Sequence, residues 1–267
     1  MKIIRHQGPS GPAYAALQPD GSALEIEGDI LGSHRATTRA VRPGKLLAPI
    51  LPPNILAIGL NYKRHAEEGG KGVPERPMLF IKGTNSLQNP GDPIELPRRL
   101  ASNEVDYECE LAVVIGRTCK NVPRARALDH VLGYTCANDV SARDWQIRLN
   151  GGQFCQGKSF DTFCPLGPAI VTPDEIPNPN NLRIKTVLNG HAMQDWNTND
   201  MVFDVPALIE FLSGSKTLLA GTVILTGTPH GVGFARKPPV FLKAGDSVSI
   251  EIEKIGTLTN PVVEERG

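Results

Sequence analysis

Residues 104–116 read EVDYECELAVVIG, and three acids, Asp106, Glu108 and Glu110, take every second position of an otherwise apolar run. Side chains of a strand alternate between its faces, so the three carboxylates share one face while Tyr107, Cys109, Leu111 and Val113 take the other and read as core. Neighbouring carboxylates repel, and burying one unpaired charge costs several kcal/mol, ~3 as a working figure. A positive group must therefore sit among them. Lys or Arg could serve, but a fourth acid shifts the choice. Asp139, in TCANDVSARDWQ, ends an apolar run just ahead of Ser141, where a strand stops and function is commonly placed. Glu108, Glu110 and Asp139 make an all-oxygen set with no Cys or His. Such a set suits a hard cation, Mg²⁺ with Mn²⁺ or Ca²⁺ as alternatives, and three carboxylates leave coordination positions for water and substrate. Asp106 then stands behind this set or pairs with Arg143.

A hard cation with open positions accepts the carboxylate and keto oxygens of a 2-oxo acid as a chelate, and stabilises the enolate formed when a β-bond breaks or a β-proton leaves. Three further segments fit that chemistry. In NYKRHAEEGGKGVPERP (61–77), His65 has Glu68 three residues on, at helical spacing, and an imidazole oriented by a carboxylate takes a proton near neutral pH. This polar, glycine-rich segment lies between LAIGL and MLFIK and reads as a lid hinged at Gly69, Gly70 and Gly72. Lys158, in QGKSF, offers a cation to a site that one metal leaves negative, and would complete the neutralisation of the enolate. ILTGTPHGVG (224–233) lacks the Gly-Lys-Ser/Thr ending of a phosphate loop, so nucleotide binding is not expected. Its turn instead offers the Thr228 hydroxyl and backbone amides to a substrate carboxylate, with His230 beside the pocket.

Strands and turns must position these residues, because 23 Pro and 27 Gly punctuate short β-branched runs along the chain. The expected fold class is mainly β (α+β). Residues 1–50 predict a small N-terminal β module of three or four strands, with turns at Pro19–Gly21 and Pro43–Gly44. LLAPILPP (46–53) reads as a linker, and residues 51–267 as the domain that holds the chemistry. Helices are expected over Arg124–Val131, Ser141–Leu149 and Val205–Ser213, where Pro206 suits a first turn. A chain of 267 residues, 40% hydrophobic and 21% charged, can bury a full core. Its 28 basic and 28 acidic residues balance, so no global field favours nucleic acid or an anionic membrane. The apolar runs are too short to span a bilayer, and MKIIRHQGP has no signal-peptide pattern. Five scattered cysteines without a CxxC pair argue against a disulfide framework or a thiolate zinc site, and a cytoplasmic location is expected.

EVDYECELAVVIG, NDVSARDWQ, GKSFDTFCPLGP and ILTGTPHGVG, in this order, resemble the motifs of the fumarylacetoacetate hydrolase family over about residues 50–263. TNDMVF and RKPPVFLKAGD are most similar to its domain-containing protein 2 branch. The resemblance implies a mixed β-sandwich roll with few helices and a homodimer. It also implies a divalent metal, usually Mg²⁺, on Glu108, Glu110 and Asp139. Substrate contacts fall on Arg143, Gln146, Lys158 and Thr228, and a general base on His65 of the NYxxH motif, supported by Glu68. The large fumarylacetoacetases carry a further metal-binding Asp upstream of that His. LAIGLNYKRH has none, so a water takes its place and their substrate range does not carry over.

The expected partner is a small 2-oxo dicarboxylate. Hydrolysis of a carbon–carbon bond in an acylpyruvate or fumarylpyruvate ranks first, because the His65–Glu68 pair can activate water. The alternative on the same scaffold moves only protons or releases CO₂, as an oxaloacetate tautomerase or decarboxylase or a hydroxymuconate-type isomerase. The branch resemblance favours oxaloacetate. A non-enzymatic binder of metal and carboxylate would not need the dyad and Lys158 together.

Overall fold

Runs of Val, Ile and Leu set off by Gly and Pro build a chain dominated by strands, and a computed structural model describes residues 1–70 and 72–266 of it. Lys71, within the expected lid, and Gly267 lie outside the described residues. The first four strands form an antiparallel meander: β1 (Lys2–Gly8), β2 (Gly11–Leu17), β3 (Ala23–Gly28) and β4 (His34–Val41). β1 also pairs with Cys164–Val171, with Ile3 opposite Ile170, which joins the meander to a twelve-stranded sheet. From Cys164–Val171 that sheet runs through Val131–Asn138, Cys109–Ile115, Val223–Leu225 and Ile55–Gly59 to an edge at Met78–Lys82. A second sheet has five strands, in the order His191–Asn197, Arg183–Leu188, Ser247–Ile252, Gly256–Glu264 and Ile94–Leu96.

Strand Cys109–Ile115 is buried on both faces, which explains its near-continuous apolar run. On one face Leu111, Val113 and Ile115 share a core with Ile184 and Ile250 of the second sheet. Tyr107 and Cys109 belong to that same core, as their alternation predicts. On the other face Ala112 and Val114 share a core with Ile55, Ile170 and Leu225. The result is the expected mainly β roll with few helices. No helix among the described residues is long and apolar enough to cross a membrane. All five cysteines are free thiols.

Three expectations change. LLAPILPP is packed, not a loose linker: Leu46–Leu47 pair with β1, and Ala48 and Ile50 are core. Arg124–Val131 coils only as a 3₁₀ helix, Arg124–His130. The helix expected over Ser141–Leu149 is divided. Ser141–Ala142 pairs with Val105–Asp106, and coiling begins only at Arg143 and runs into a π-helical turn, Trp145–Leu149. Pairing with a neighbouring strand outweighs local helix propensity here. The α-helices are α1 (Lys63–Glu68), α2 (Phe154–Lys158) and α3 (Val205–Ser213). α3 falls where expected, with the Asp204 carboxylate accepting from the Ala207 N–H at 2.9 Å as its N-cap.

Candidate active site

Strand register creates the acid cluster. Cys109 lies opposite Asn138 and Glu110 opposite Ala137, and the pairing continues as the Asp139 N–H donates to the Glu108 carbonyl at 2.9 Å. Glu108, Glu110 and Asp139 therefore project from one side of two adjacent strands. Carboxylate oxygens of the three, all buried, lie within 4.8 Å of one another. Asp106 does not join them. Its short strand ends before Cys109, and its carboxylate accepts from the Gly233 and Phe234 N–H groups at 2.8 and 3.0 Å. Arg143 pairs with it through Nε and Nη2 at 2.9 and 2.7 Å, one of the two arrangements the sequence left open.

Three buried cations answer these acids. Lys158 Nζ lies 2.7 Å from both Glu108 Oε2 and Asp139 Oδ2. Arg143 Nη2 reaches Glu108 Oε1 at 2.7 Å. Lys82, which sequence reasoning missed, donates to Asp139 Oδ1 at 2.7 Å and to the Val140 carbonyl at 3.2 Å. Its signal is slight: in MLFIK, Phe80 and Lys82 share the inward face of the edge strand. Glu110 is only 1% exposed, yet among the described residues no basic side chain lies within 4 Å of it. Its Oε2 accepts the Gly227 N–H at 2.6 Å. Gly227 has φ +95°, and a Cβ there would meet the Asn61 Cβ at 2.7 Å, so this close approach needs glycine.

Burial raises the Glu110 carboxyl well above its ordinary value, and the charges of Asp139 and Glu108 push the same way. Burial would also raise Glu108, but Arg143 and Lys158 outweigh it and hold that carboxyl far down. Burial opposes the Lys158 ammonium, and Asp139 and Glu108 more than restore it. Four buried carboxylates thus face three buried cations, with Glu110 the uncompensated one. Each carboxylate oxygen of Glu108, Glu110 and Asp139 keeps a second lone pair. The hard donor set and the missing positive charge both fit a divalent cation held by Glu108, Glu110 and Asp139.

The dyad sits on α1. His65 Nδ1 and Glu68 Oε2 are 3.2 Å apart, one helical turn from each other, and Glu68 Oε1 accepts the Gly231 N–H at 2.9 Å. Half-burial would raise the Glu68 carboxyl, but the His65 and Gly231 hydrogen bonds hold it below its ordinary value. α1 has no side-chain cap of its own. Asp200 supplies one from a distance, accepting the Arg64 N–H at 3.1 Å, while the Arg64 guanidinium lies 4.8 Å over Trp196. α2 carries Lys158 in against the π-helical turn. The approach is so close that a Cβ on Gly157 would meet the Gln146 backbone nitrogen at 2.5 Å.

His65, Glu68, Glu108, Glu110, Arg143, Gln146, Lys158 and Thr228 all line one cavity of about 500 Å³, and Asp139 lies buried beneath it. His230 is not among its lining residues and stacks edge-on against Trp196. Arg143 is largely committed: Nη1 donates to Gln146 Oε1 at 3.0 Å, which leaves one N–H of its fork for a ligand. The Gln146 amide nitrogen remains as a donor toward the cavity.

Residues 54–263 match the family model of the fumarylacetoacetate (FAA) hydrolase C-terminal domain. The chain belongs to the fumarylacetoacetate hydrolase family. Over 250 residues it is 51% identical to the oxaloacetate tautomerase fahd2, mitochondrial, of Xenopus laevis, covering 93% of this chain and 75% of that protein. The domain-containing protein 2 branch read from TNDMVF is thereby the right one. Among solved structures, the 5-carboxymethyl-2-hydroxymuconate delta-isomerase from Mycobacterium smegmatis superposes with a TM-score of 0.86 at 43% identity, over 99% of this chain and all of that one. The fumarylacetoacetate hydrolase from Exiguobacterium antarcticum gives a TM-score of 0.90 at 37% identity, over the same shares of the two chains. Membership makes this chain an enzyme-family protein of the expected fold.

Proposed function

We propose that this chain is a divalent-metal-dependent enzyme that interconverts the keto and enol forms of a small 2-oxo dicarboxylate, oxaloacetate above others. The observation that carries the reading is the meeting, in one cavity, of a carboxylate-oriented imidazole and a carboxylate cluster one cation short. Keto–enol exchange asks for one proton carrier at carbon and a positive environment at oxygen. Hydrolysis, ranked first from the residues, rests on the same dyad acting on water, so the dyad does not choose between the two. The relatives' names support the tautomerase: an oxaloacetate tautomerase at half identity, and an isomerase among the similar structures.

Mg²⁺ is the proposed ion, which when bound supplies Lewis-acid polarisation of the keto oxygen. His65, with Nδ1 turned to Glu68, takes the proton from the carbon between the two carbonyl groups and returns it in the reverse direction. The Lys158 ammonium, two of its N–H groups on Glu108 and Asp139, directs the third at the enolate oxygen and gives it that proton to form the enol O–H, after which Lys158 regains a proton from solvent and His65 loses its own to solvent. Thr228, the Gln146 amide and the remaining Arg143 N–H hold the carboxylates. The proposal extends to a homodimer, tested by sedimentation. It also places the protein in a reducing compartment. The cytoplasm was expected and the Xenopus relative is named mitochondrial; free thiols accord with either. Residues 1–50 are proposed as an N-terminal module whose β1 is joined to the main sheet of the domain 51–267, and that domain's residues supply the cavity lining.

The test is a screen of the purified protein with Mg²⁺ on enol-oxaloacetate, acylpyruvates and fumarylpyruvate. Decay of the enol's ultraviolet absorbance should accelerate by at least about 10²-fold, within the usual reach of a positioned base. Cleavage of acylpyruvates with no effect on the enol would reinstate hydrolysis.

A further inference from the structure

Gln194 lies outside every segment to which the sequence assigned chemistry. It is buried on the strand His191–Asn197 of the five-stranded sheet, opposite Thr186, and its amide reaches across to the site. Gln194 Oε1 accepts the Cys109 N–H at 3.0 Å and the Thr186 hydroxyl at 2.7 Å. Gln194 Nε2 donates to Thr228 Oγ1 and to the Pro229 carbonyl, both at 2.8 Å. A backbone N–H can only donate and a backbone carbonyl can only accept, so these two partners fix which end of the amide is which. The amide cannot flip without breaking both bonds.

One consequence concerns a proton. Because the amide NH₂ occupies a lone pair of Thr228 Oγ1, the hydroxyl hydrogen must point elsewhere, and Thr228 lines the cavity. The rival acceptor is the Cys109 sulfur. A thiol sulfur is a weak acceptor beside a carboxylate. A second consequence concerns distance. The same amide grips the N–H between Glu108 and Glu110, so one side chain ties the carboxylate strand to the Thr228 turn.

We infer that Gln194 is a positioning residue: it polarises Thr228 into a hydrogen-bond donor aimed at the substrate carboxylate and sets the span between that donor and the acid cluster. The inference rests on the reading of Thr228 as a carboxylate contact. It does not depend on which reaction follows.

The test is a double-mutant cycle on binding, with oxalate titrated calorimetrically into the Mg²⁺-loaded protein. Gln194→Met and Thr228→Val should each weaken oxalate by about 10- to 100-fold, the range for one hydrogen bond to a charged group. The double variant should be no weaker than Thr228→Val by more than about twofold, since both changes remove the same donor. Mg²⁺ affinity of Gln194→Met should stay at the wild-type value. Wild-type oxalate affinity in Gln194→Met, losses that multiply in the double variant, loss of Mg²⁺ binding by Gln194→Met, or a wild-type protein that ignores oxalate would each overturn the assignment. If Gln194→Met fails to fold, neutron diffraction of the wild type decides. The Thr228 deuteron should point into the cavity, and one aimed at the Cys109 sulfur would refute the inference. Absent oxaloacetate turnover with an intact binding cycle would refute the proposed function alone.

Discussion

Glu110 is where burial, charge and function conflict most. Its carboxyl is raised in the metal-free fold, chiefly by burial and then by Asp139 and Glu108. A group whose folded value lies above its unfolded one adds stability below the unfolded value, near 4.3 for Glu, and loses it as pH rises through the folded value. At neutral pH the metal-free protein therefore carries a penalty that Glu110→Gln removes. In the presence of a chelator the variant should melt above the wild type at pH 7, by about 2–4 °C per kcal/mol relieved, and the gap should close near pH 4. With Mg²⁺ the order should reverse. The variant's affinity should fall by more than the roughly 10–100-fold typical of losing a partner behind a ligand. Unchanged Mg²⁺ affinity would remove Glu110 from the ligand set. The acids were legible because alternation in a strand needs only local sequence. Lys82 was not, because a lysine closing an apolar run reads as a strand end at the surface. Only the pairing of Met78–Lys82 with Ile55–Gly59 turns it inward to Asp139.

At the scale of elements, α1 and the glycines after it decide how the dyad meets the substrate. The segment was expected to move as one lid, but its first part is anchored. Asn61 and Tyr62 are fully buried, Asn61 donates to the Thr226 and Phe203 carbonyls, and Asp200 holds the Arg64 N–H. Gly70 takes φ +63°, and among the described residues of 72–77 no side-chain hydrogen bond of this kind is found. Hydrogen exchange should be slow over 61–66 with or without ligand. Over 72–77 it should slow by about tenfold or more when Mg²⁺ and oxalate bind, as loops of low local stability do on ligation. Equal protection in both states would mean a fixed loop. Element types were readable wherever one rule governed them: α3 has its Asp204 cap, Pro206 and an apolar face. Ser141–Leu149 misled because its first residues are claimed by the strand Val105–Asp106, more than thirty positions earlier, which no local pattern announces. α1 and α2, at six and five residues, are too short to show a helical period.

The molecule as a whole brings together segments that are distant in sequence: the dyad near residue 65, the acid strands near 108 and 139, Lys158, and the turn at 228. Their class and order could be read from motifs, but sheet order could not. β1 pairs with Cys164–Val171, and Val223–Leu225 runs parallel to Ile55–Gly59, contacts whose register depends on the whole packed roll. That arrangement sets the Glu68–Gly231 hydrogen bond and the Gln194–Thr228 bridge, so the dyad and the proposed carboxylate anchor are held by the fold and not by their own loops. The central claim is that this framework serves proton transfer at carbon, with His65 as the carrier. Deuterium incorporation at C3 of oxaloacetate, followed by NMR in D₂O with saturating Mg²⁺, reads that step directly. The wild type should exchange C3 well above the uncatalysed rate, and His65→Ala should lose about 10²–10⁴-fold of that excess. Equal exchange by the two proteins, or none by the wild type while it cleaves acylpyruvates, would contradict the account.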